Sequence, residues 1–473
     1  MPLNRNTLLA GLAAAAAAPA CFATPAAAAR PNIVFILIDD MGWADVGFNG
    51  SKYYETPNLD RLAARSMRFP NGYAACAVCS PSRAAILTGK YPARLHITDW
   101  IPGEGGCKTG TLESPKWQQH LPLEEVTLAE ALKPAGYSSA SIGKWHLGGP
   151  AFFPEKQGFD VNVAGGHIGH PASYFHPYGK EKDSHRVPGL QATGKTGEYL
   201  TDRLTEEAQS FIRTNKNKPF FLYLAHYAVH SPLMGKPELV TKYKGKAPVD
   251  GQKNATYAAM VQSVDESVGA IVKTLEEQGI ADRTIIVFTS DNGGVVHDGN
   301  PPATSNAPLR AGKGYPYEGG IREPLLVCWP GVTKGAACSV PVCGIDFYPT
   351  FLEIAGAAGD TAHNRKVDGV SIVPLLRGTG AIKRDTLFWH YPHYWNGGTI
   401  KPYSIVRKGD WKLIEFHETG MVELYDLSKD ISEKNDLAPG MPEKAAELRK
   451  CLHDWLKSVD AQMPVPKKTA AAA

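Results

Sequence analysis

Short continuous apolar runs recur along the chain at 32–38, 220–225 and 284–290. None shows the alternation of a half-exposed strand, so each predicts a central strand buried on both faces of a parallel sheet. Between them the apolar period lengthens, predicting amphipathic helices over 198–214 and 255–278, a helix starting at Pro57, and another over 126–133 that breaks at Pro134-Ala135-Gly136. A further strand is expected after Gly136, closing in the turn Gly143-Lys144-Trp145-His146. Strands alternating with helices predict an α/β fold: a large mixed, mostly parallel sheet flanked by helices. From about Lys383 the pattern shortens to strand-like pieces at 386–389, 403–407, 411–416 and 421–425, then an amphipathic helix over 442–459. These predict a smaller C-terminal antiparallel sheet plus helix. The expected division is a large domain over 30–380, an α+β subdomain over 381–463 and a disordered tail over 464–473, with no internal repeat.

The N-terminus changes this picture only by subtraction. Arg5, an apolar stretch over 8–18 and small-residue sequence ending in Ala27-Ala28-Ala29 have the form of a secretory signal peptide over 1–29. The apolar stretch is too short to span a membrane, and Ala18-Pro19-Ala20 is a poor lipobox for Cys21. Export to a periplasm or beyond is expected. No later apolar run reaches membrane length, so the chain is not read as an integral membrane protein. With 473 residues, a formal net charge of +3 and no long basic run, nothing supports a nucleic-acid partner.

Function must therefore sit in local sites, and several fall at predicted strand ends. Asp39-Asp40 follow the first strand and Asp291-Asn292 follow the strand over 284–290. Each pair alone reads as a solvated acidic turn, but carboxylates gathered where open α/β sheets bind ligands need a cation. An all-oxygen set without thiolate favours Ca2+, with Mg2+ less favoured. In the stretch 77–89, Pro81 near a helix start and Gly89 past its end place Cys79 at a helix entrance, where orphan N–H groups favour an anion, and Arg83 one turn further in. Cys76 and Cys79 also form a C-x-x-C, which a redox pair or half a zinc site would share. His226 and His230 follow the strand over 220–225, and in Gly312-Lys313-Gly314 the glycines are expected to let the backbone pass close to a ligand while Lys313 reaches inward. The stretch 152–197, rich in Gly, Pro and His, reads as a functional loop whose histidines fit no zinc spacing. Segment 390–395 suits either a sugar-facing rim or a core turn.

The string Cys79-Ser80-Pro81-Ser82-Arg83, followed by Ala84-Ala85-Ile86-Leu87-Thr88-Gly89, resembles the signature of the type I, formylglycine-dependent sulfatases, arylsulfatase-like members of the alkaline phosphatase superfamily. Segments 136–146, 226–232, 312–314 and 317–324 resemble further elements of that family. The resemblance implies an alkaline-phosphatase-like architecture and a sulfuric ester hydrolase that removes sulfate from a sulfated sugar or aryl sulfate. Cys79 would be oxidised to formylglycine by a formylglycine-generating maturation enzyme. Its hydrate would attack sulfur, and a geminal diol can then expel sulfate where a plain Ser or Cys would stay esterified. Asp39, Asp40, residue 79, Asp291 and Asn292 would hold Ca2+. Arg83 and Lys144 would orient the modified residue, His146 would take a proton from its second hydroxyl, and His230 or Lys313 would protonate the leaving alcohol. His226 has no clear counterpart and reads as a packing residue or as one that supports the site from behind; Arg322 and Glu323 read as structural residues that hold their loop by ion pairing. Removing Cys21 and Cys79 from the eight cysteines leaves six, open to up to three disulfides or none. Two alternatives remain: a phosphonate or phosphate ester hydrolase of the same superfamily, and a non-catalytic protein that binds sulfated glycans.

Overall fold

Strand Asn32–Ile38 is buried along its whole length because its two faces meet two different cores. Val34, Ile36 and Ile38 pack into one and Ile33, Phe35 and Leu37 into the other. In the computed structural model, which describes residues 30–297, 299 and 302–468, it lies at the centre of a seven-stranded sheet. The order is Met67–Arg68, Leu326–Cys328, Thr284–Ser290, Asn32–Ile38, Phe220–Ala225, Ser138–Gly143 and Val161–Val163. The five from Thr284–Ser290 to Val161–Val163 run parallel, and the two at the other edge antiparallel. Helices Leu200–Asn215 and Ala255–Glu277 cover one face, and Cys79–Thr88, Leu128–Leu132 and Phe347–Ala355 the other.

The predicted elements are present with small shifts, and helix Cys79–Thr88 starts two residues before Pro81. The short strands Met67–Arg68, Leu326–Cys328 and Val161–Val163 were not predicted, since two or three residues carry no readable period. The C-terminal sheet is an antiparallel meander of Thr386–Tyr391, Tyr403–Lys408, Trp411–Phe416 and Val422–Asp426, packed by helix Pro442–Ser458. The same core holds Tyr73 and Ala75–Val78, so the second sheet braces the approach to Cys79; Trp389 donates its indole N–H to Ala74 O at 2.7 Å.

Two expectations need correction or relocation. The segment from Pro464 is not wholly irregular: Val465–Pro466 pairs antiparallel with Leu112–Glu113. Its pattern hid this because two exposed residues carry no readable period. The expected signal peptide lies outside the described residues. Among those described, no disulfide forms and no helix is long and apolar enough to cross a membrane.

At the seam of the two sheets Asp99 is 3% exposed and accepts hydrogen bonds from Tyr391 Oη at 2.8 Å and from Trp100 N. Burial pushes its carboxyl up to about 8. An acid whose folded value is raised gives stability that is full below its unfolded value near 3.8 and is lost as pH rises through 8. Asp99→Asn keeps both acceptor contacts and never ionises. We expect it to match the parent at pH 4 and to exceed it by about 2–4 kcal/mol at pH 7–8, read by urea unfolding. Equal pH profiles would show that Asp99 ionises freely in the folded chain.

Candidate active site

Four neighbouring parallel strands end in a row, and the residues just past their ends form the site. Register pairs Ile38 with Ser290, Leu37 with Ala225, and Ala225 with Gly143. Asp39-Asp40, Asp291-Asn292, His226–His230 and Lys144–His146 therefore emerge side by side, as sheet topology requires of a site at carboxyl ends. Helix Cys79–Thr88 is buried throughout and has no side-chain cap at Val78, so Cys79 sits beside uncapped N–H groups.

The charges interlock. Lys144 Nζ, fully buried, donates to Asp39 Oδ2 at 2.7 Å. Arg83 donates through Nε to Asp291 Oδ2 at 2.9 Å and through Nη1 to Lys144 O at 2.9 Å. Lys313 Nζ lies 2.7 Å from Asp40 Oδ1 and 2.8 Å from Oδ2. Asn292 Nδ2 donates to Asp40 Oδ1 at 2.8 Å, and His230 Nε2 stands 3.4 Å from Asp40 Oδ2. Two buried oxygens in this cluster, Asp39 Oδ1 and Asn292 Oδ1, have no hydrogen-bond partner. Burial, reinforced by Asp291 and Asp40, pushes the Asp39 carboxyl well above its usual range despite Lys144. Orphaned hard oxygens beside a carboxyl that resists ionisation fit a divalent cation. His230 is the further group within reach, since single ligand atoms of Asp39, Asp40 and His230 lie within 4.8 Å of one another.

Cys79 Sγ faces His146 Nδ1 at 3.4 Å. The other ring nitrogen, Nε2, lies 2.5 Å from Ile101 O, a pure acceptor, so Nε2 carries the proton and Nδ1 turns a lone pair toward Cys79. Burial and then Lys144 push His146 well below the ordinary imidazole value, keeping it neutral. Ser80 Oγ donates to His146 O at 2.9 Å and accepts from Ile101 N at 3.1 Å, bracing both ends of this contact. Burial raises the Cys79 thiol despite Lys144 and Lys313, and raises Cys76 to about 12. A redox pair needs a thiolate, and this pair favours two neutral thiols.

A pocket of about 500 Å3 opens over Cys79, His146, His230 and Lys313. Its outer wall is the His-rich loop, where His170 stacks on His185 at 4.0 Å and on His230 at 5.6 Å between ring centroids. Gly169 lets this loop close on the catalytic side, since a Cβ there would lie 2.7 Å from His146 Cε1. His176 instead turns to Gln191 O, outside the pocket. Trp100, Ile101 and Trp395 also line it, and nothing in the sequence marks Trp100 or Ile101 as pocket residues.

Three details correct or sharpen the expectations. Gly312 and Gly314 make room for the protein itself, because a Cβ would meet Gly294 O at 2.2 Å and the Trp395 ring at 2.3 Å. Arg322 does hold the loop by ion pairing, with Glu318 at 2.7 Å, whereas Glu323 makes no ion pair among the described residues and its buried carboxyl is pushed up. His390 is a core residue between Ser404 Oγ and Gln462 O, whereas Trp395 of the same segment reaches the pocket. His226 packs as expected, buried with Nε2 3.0 Å from Ser267 Oγ.

Arg83 has no exposed surface. Arg83→Met would leave Asp291 buried without its cation, and we expect it to destabilise the fold by about 3–5 kcal/mol in urea unfolding. A loss below about 1 kcal/mol would mean that Asp291 is compensated by other groups.

The family model described as Sulfatase matches residues 31–357, and one described as N-sulphoglucosamine sulphohydrolase, C-terminal, matches residues 312–462. The chain is 36% identical over 405 residues to N-acetylgalactosamine-6-sulfatase of Homo sapiens, covering 77% of this chain and 72% of that protein. The crystal structure of Ps i-CgsB in complex with k-i-k-neocarrahexaose superposes with a TM-score of 0.74 at 33% identity, covering 90% of this chain and 93% of that one. A protein solved with its substrate D-glucosamine-2-N,6-O-disulfate superposes with a TM-score of 0.70 at 25% identity, covering 91% and 98%.

Proposed function

The chain belongs to the sulfatase family of the alkaline phosphatase superfamily and is a sulfuric ester hydrolase, and from that premise we propose that it desulfates a sulfated sugar through Cys79 converted to formylglycine. The observation that carries this reading is the meeting of a neutral thiol at an uncapped helix start with a neutral, tautomer-fixed imidazole and three buried cations. A hydrated aldehyde at position 79 supplies two geminal oxygens, one to attack sulfur and one whose deprotonation releases sulfate. Asp39, Asp40, Asp291, Asn292 and residue 79 would hold Ca2+, which supplies countercharge for the sulfate and its attacking group.

The chain's own residues do the rest. Lys144 and Arg83 keep Asp39 and Asp291 fixed, so the row of acids stays in place while the anionic sulfate ester enters and the sulfate dianion leaves. Lys313 is 6% exposed and lines the pocket, where it meets sulfate charge. His146 receives a proton at Nδ1, and Ile101 O then faces an imidazolium through the Nε2–H it already holds. His230 and Lys313 stand on the open side, where a leaving oxygen needs a proton. Sugar substrates are supported by the relatives, among them an N-acetylgalactosamine-6-sulfatase, a protein solved with k-i-k-neocarrahexaose and one solved with its substrate D-glucosamine-2-N,6-O-disulfate. The apolar stretch near the N-terminus supports export.

Protein made with a formylglycine-generating enzyme should show a loss of about 18 Da on the peptide spanning Tyr73 to Arg83, should react with a hydrazide, and should hydrolyse 4-nitrophenyl sulfate in preference to 4-nitrophenyl phosphate. An unmodified Cys79 in turning-over protein would overturn the formylglycine reading, and a preference for the phosphate would overturn the substrate reading.

A further inference from the structure

A second cleft, of about 810 Å3, lies against the catalytic pocket and shares its wall. Two short segments form the partition. In the first, Trp100 and Ile101 face the catalytic pocket, Asp99 and Gly103 face the cleft, and Pro102 lines both. In the second, Trp395 faces the pocket while its neighbour Tyr394 faces the cleft. Glu104 ties the two segments together by accepting from Asn396 N at 3.1 Å and Gly397 N at 3.3 Å.

The cleft is built, and the chain terminus is used to build it. The pairing of Val465–Pro466 with Leu112–Glu113 lays the end of the chain beside its wall, and Lys467 Nζ donates to Cys107 O. Tyr394 Oη ties the same strand to the second segment of the partition, accepting from Leu112 N at 3.1 Å and donating to Glu418. On its surface stand a half-buried indole, Trp117, held edge-on by His393 at 5.7 Å, and the side chains of Lys108, Lys116, Ser114 and Gln119. Among the described residues Lys108 and Lys116 have no ion-pair partner. A flat aromatic face with hydroxyl, amide and unpaired ammonium groups suits a pyranose ring bearing an anionic substituent. The volume is within the range that holds a ligand.

We propose that this cleft binds the sugar residue next to the one being desulfated, so that the protein takes an anionic oligosaccharide across the Trp100–Pro102 partition. This rests on the sulfated-sugar reading above and adds to it the length of the substrate.

The test compares the mature enzyme with Trp117→Ala and Lys116→Ala on three probes: 4-nitrophenyl sulfate, a chondroitin 6-sulfate hexasaccharide and k-i-k-neocarrahexaose. Lys116 is exposed, so its variant keeps the test sound should Trp117→Ala lose stability. The expected result is a kcat/KM at least tenfold lower for Trp117→Ala and about three- to tenfold lower for Lys116→Ala on whichever hexasaccharide is desulfated, with both within twofold of the parent on the aryl sulfate. Equal losses on aryl sulfate and hexasaccharide, unchanged hexasaccharide kinetics, or desulfation of neither hexasaccharide by an enzyme active on aryl sulfate would overturn the cleft. Failure of the mature parent on aryl sulfate and hexasaccharides alike would instead remove the catalytic reading, and this inference with it.

Discussion

Cys79→Ala should lower kcat on aryl sulfate by at least about 10^4-fold, or roughly 5 kcal/mol of transition-state stabilisation, while leaving the fold intact. The size of the effect follows from what surrounds the position. Cys79 is buried at a helix start, 3.4 Å from His146 Nδ1 and between Lys144 and Lys313. His146 is aimed at it, and Lys313 and His230 at the acids behind it, so removing it leaves an anion-binding site without a nucleophile. The thiol itself contributes little packing, and alanine is a good helix former, so the melting temperature should move little. Cys79→Ser tests the chemistry separately from the presence of a nucleophilic atom. A serine that the host does not convert offers one hydroxyl and no second one to lose a proton. It should turn over once at most, releasing alcohol in no more than one equivalent per protein molecule. Steady turnover by either variant above about one hundredth of the parent would show that position 79 is not the attacking residue.

The parts of the fold that were legible are those whose burial is uniform. Asn32–Ile38, Phe220–Ala225 and Thr284–Ser290 are buried on both faces and read as unbroken apolar runs, and their ends then located the acids and His230. Legibility failed where pairing is local and side chains are small or mixed. Val161–Val163 carries an exposed first residue, and Val465–Pro466 is exposed on both. The tie of Arg322 to Glu318, in place of Glu323, turns on a helical turn at Glu318–Ile321 that puts the two side chains on one face, a placement that Gly319-Gly320 conceals. Ile101 is silent in the sequence for a different reason. Ile101 acts through its carbonyl oxygen, and a backbone acceptor leaves no trace in residue identity. The tautomer of His146, and with it the direction of proton flow, is decided by that carbonyl.

The site also divides labour in a way that residue types alone do not reveal. Arg83 and Lys144 share their contacts between Asp291, Asp39 and the Lys144 carbonyl, all at zero or near-zero exposure. Lys313 and His230 meet Asp40 from the open side. The first pair is therefore a frame that holds charge in fixed geometry, and the second pair is placed to meet what enters from solvent.

His146→Asn isolates the proton step. Asn is chosen because residue 146 has a φ of 58°, a left-handed backbone that Asn adopts with less strain than most residues. The shorter side chain withdraws the Nδ1 lone pair from position 79 while leaving the backbone contacts of the turn, among them His146 N to Gly166 O at 3.0 Å and Ser80 Oγ to the residue 146 carbonyl. Attack on sulfur does not need this base, whereas release of sulfate does. The expected outcome is a burst of about one equivalent of 4-nitrophenol followed by turnover about 10^2–10^4-fold slower than the parent, the range for loss of a positioned base. Because burial and Lys144 keep His146 neutral well below the ordinary imidazole value, parent kcat should not fall with an inflection near pH 6.5. Rapid-quench measurement of phenol and sulfate separates the two steps. Slow turnover with no burst would place His146 before or at the attack on sulfur, and a changed KM with unchanged kcat would make it a positioning residue only.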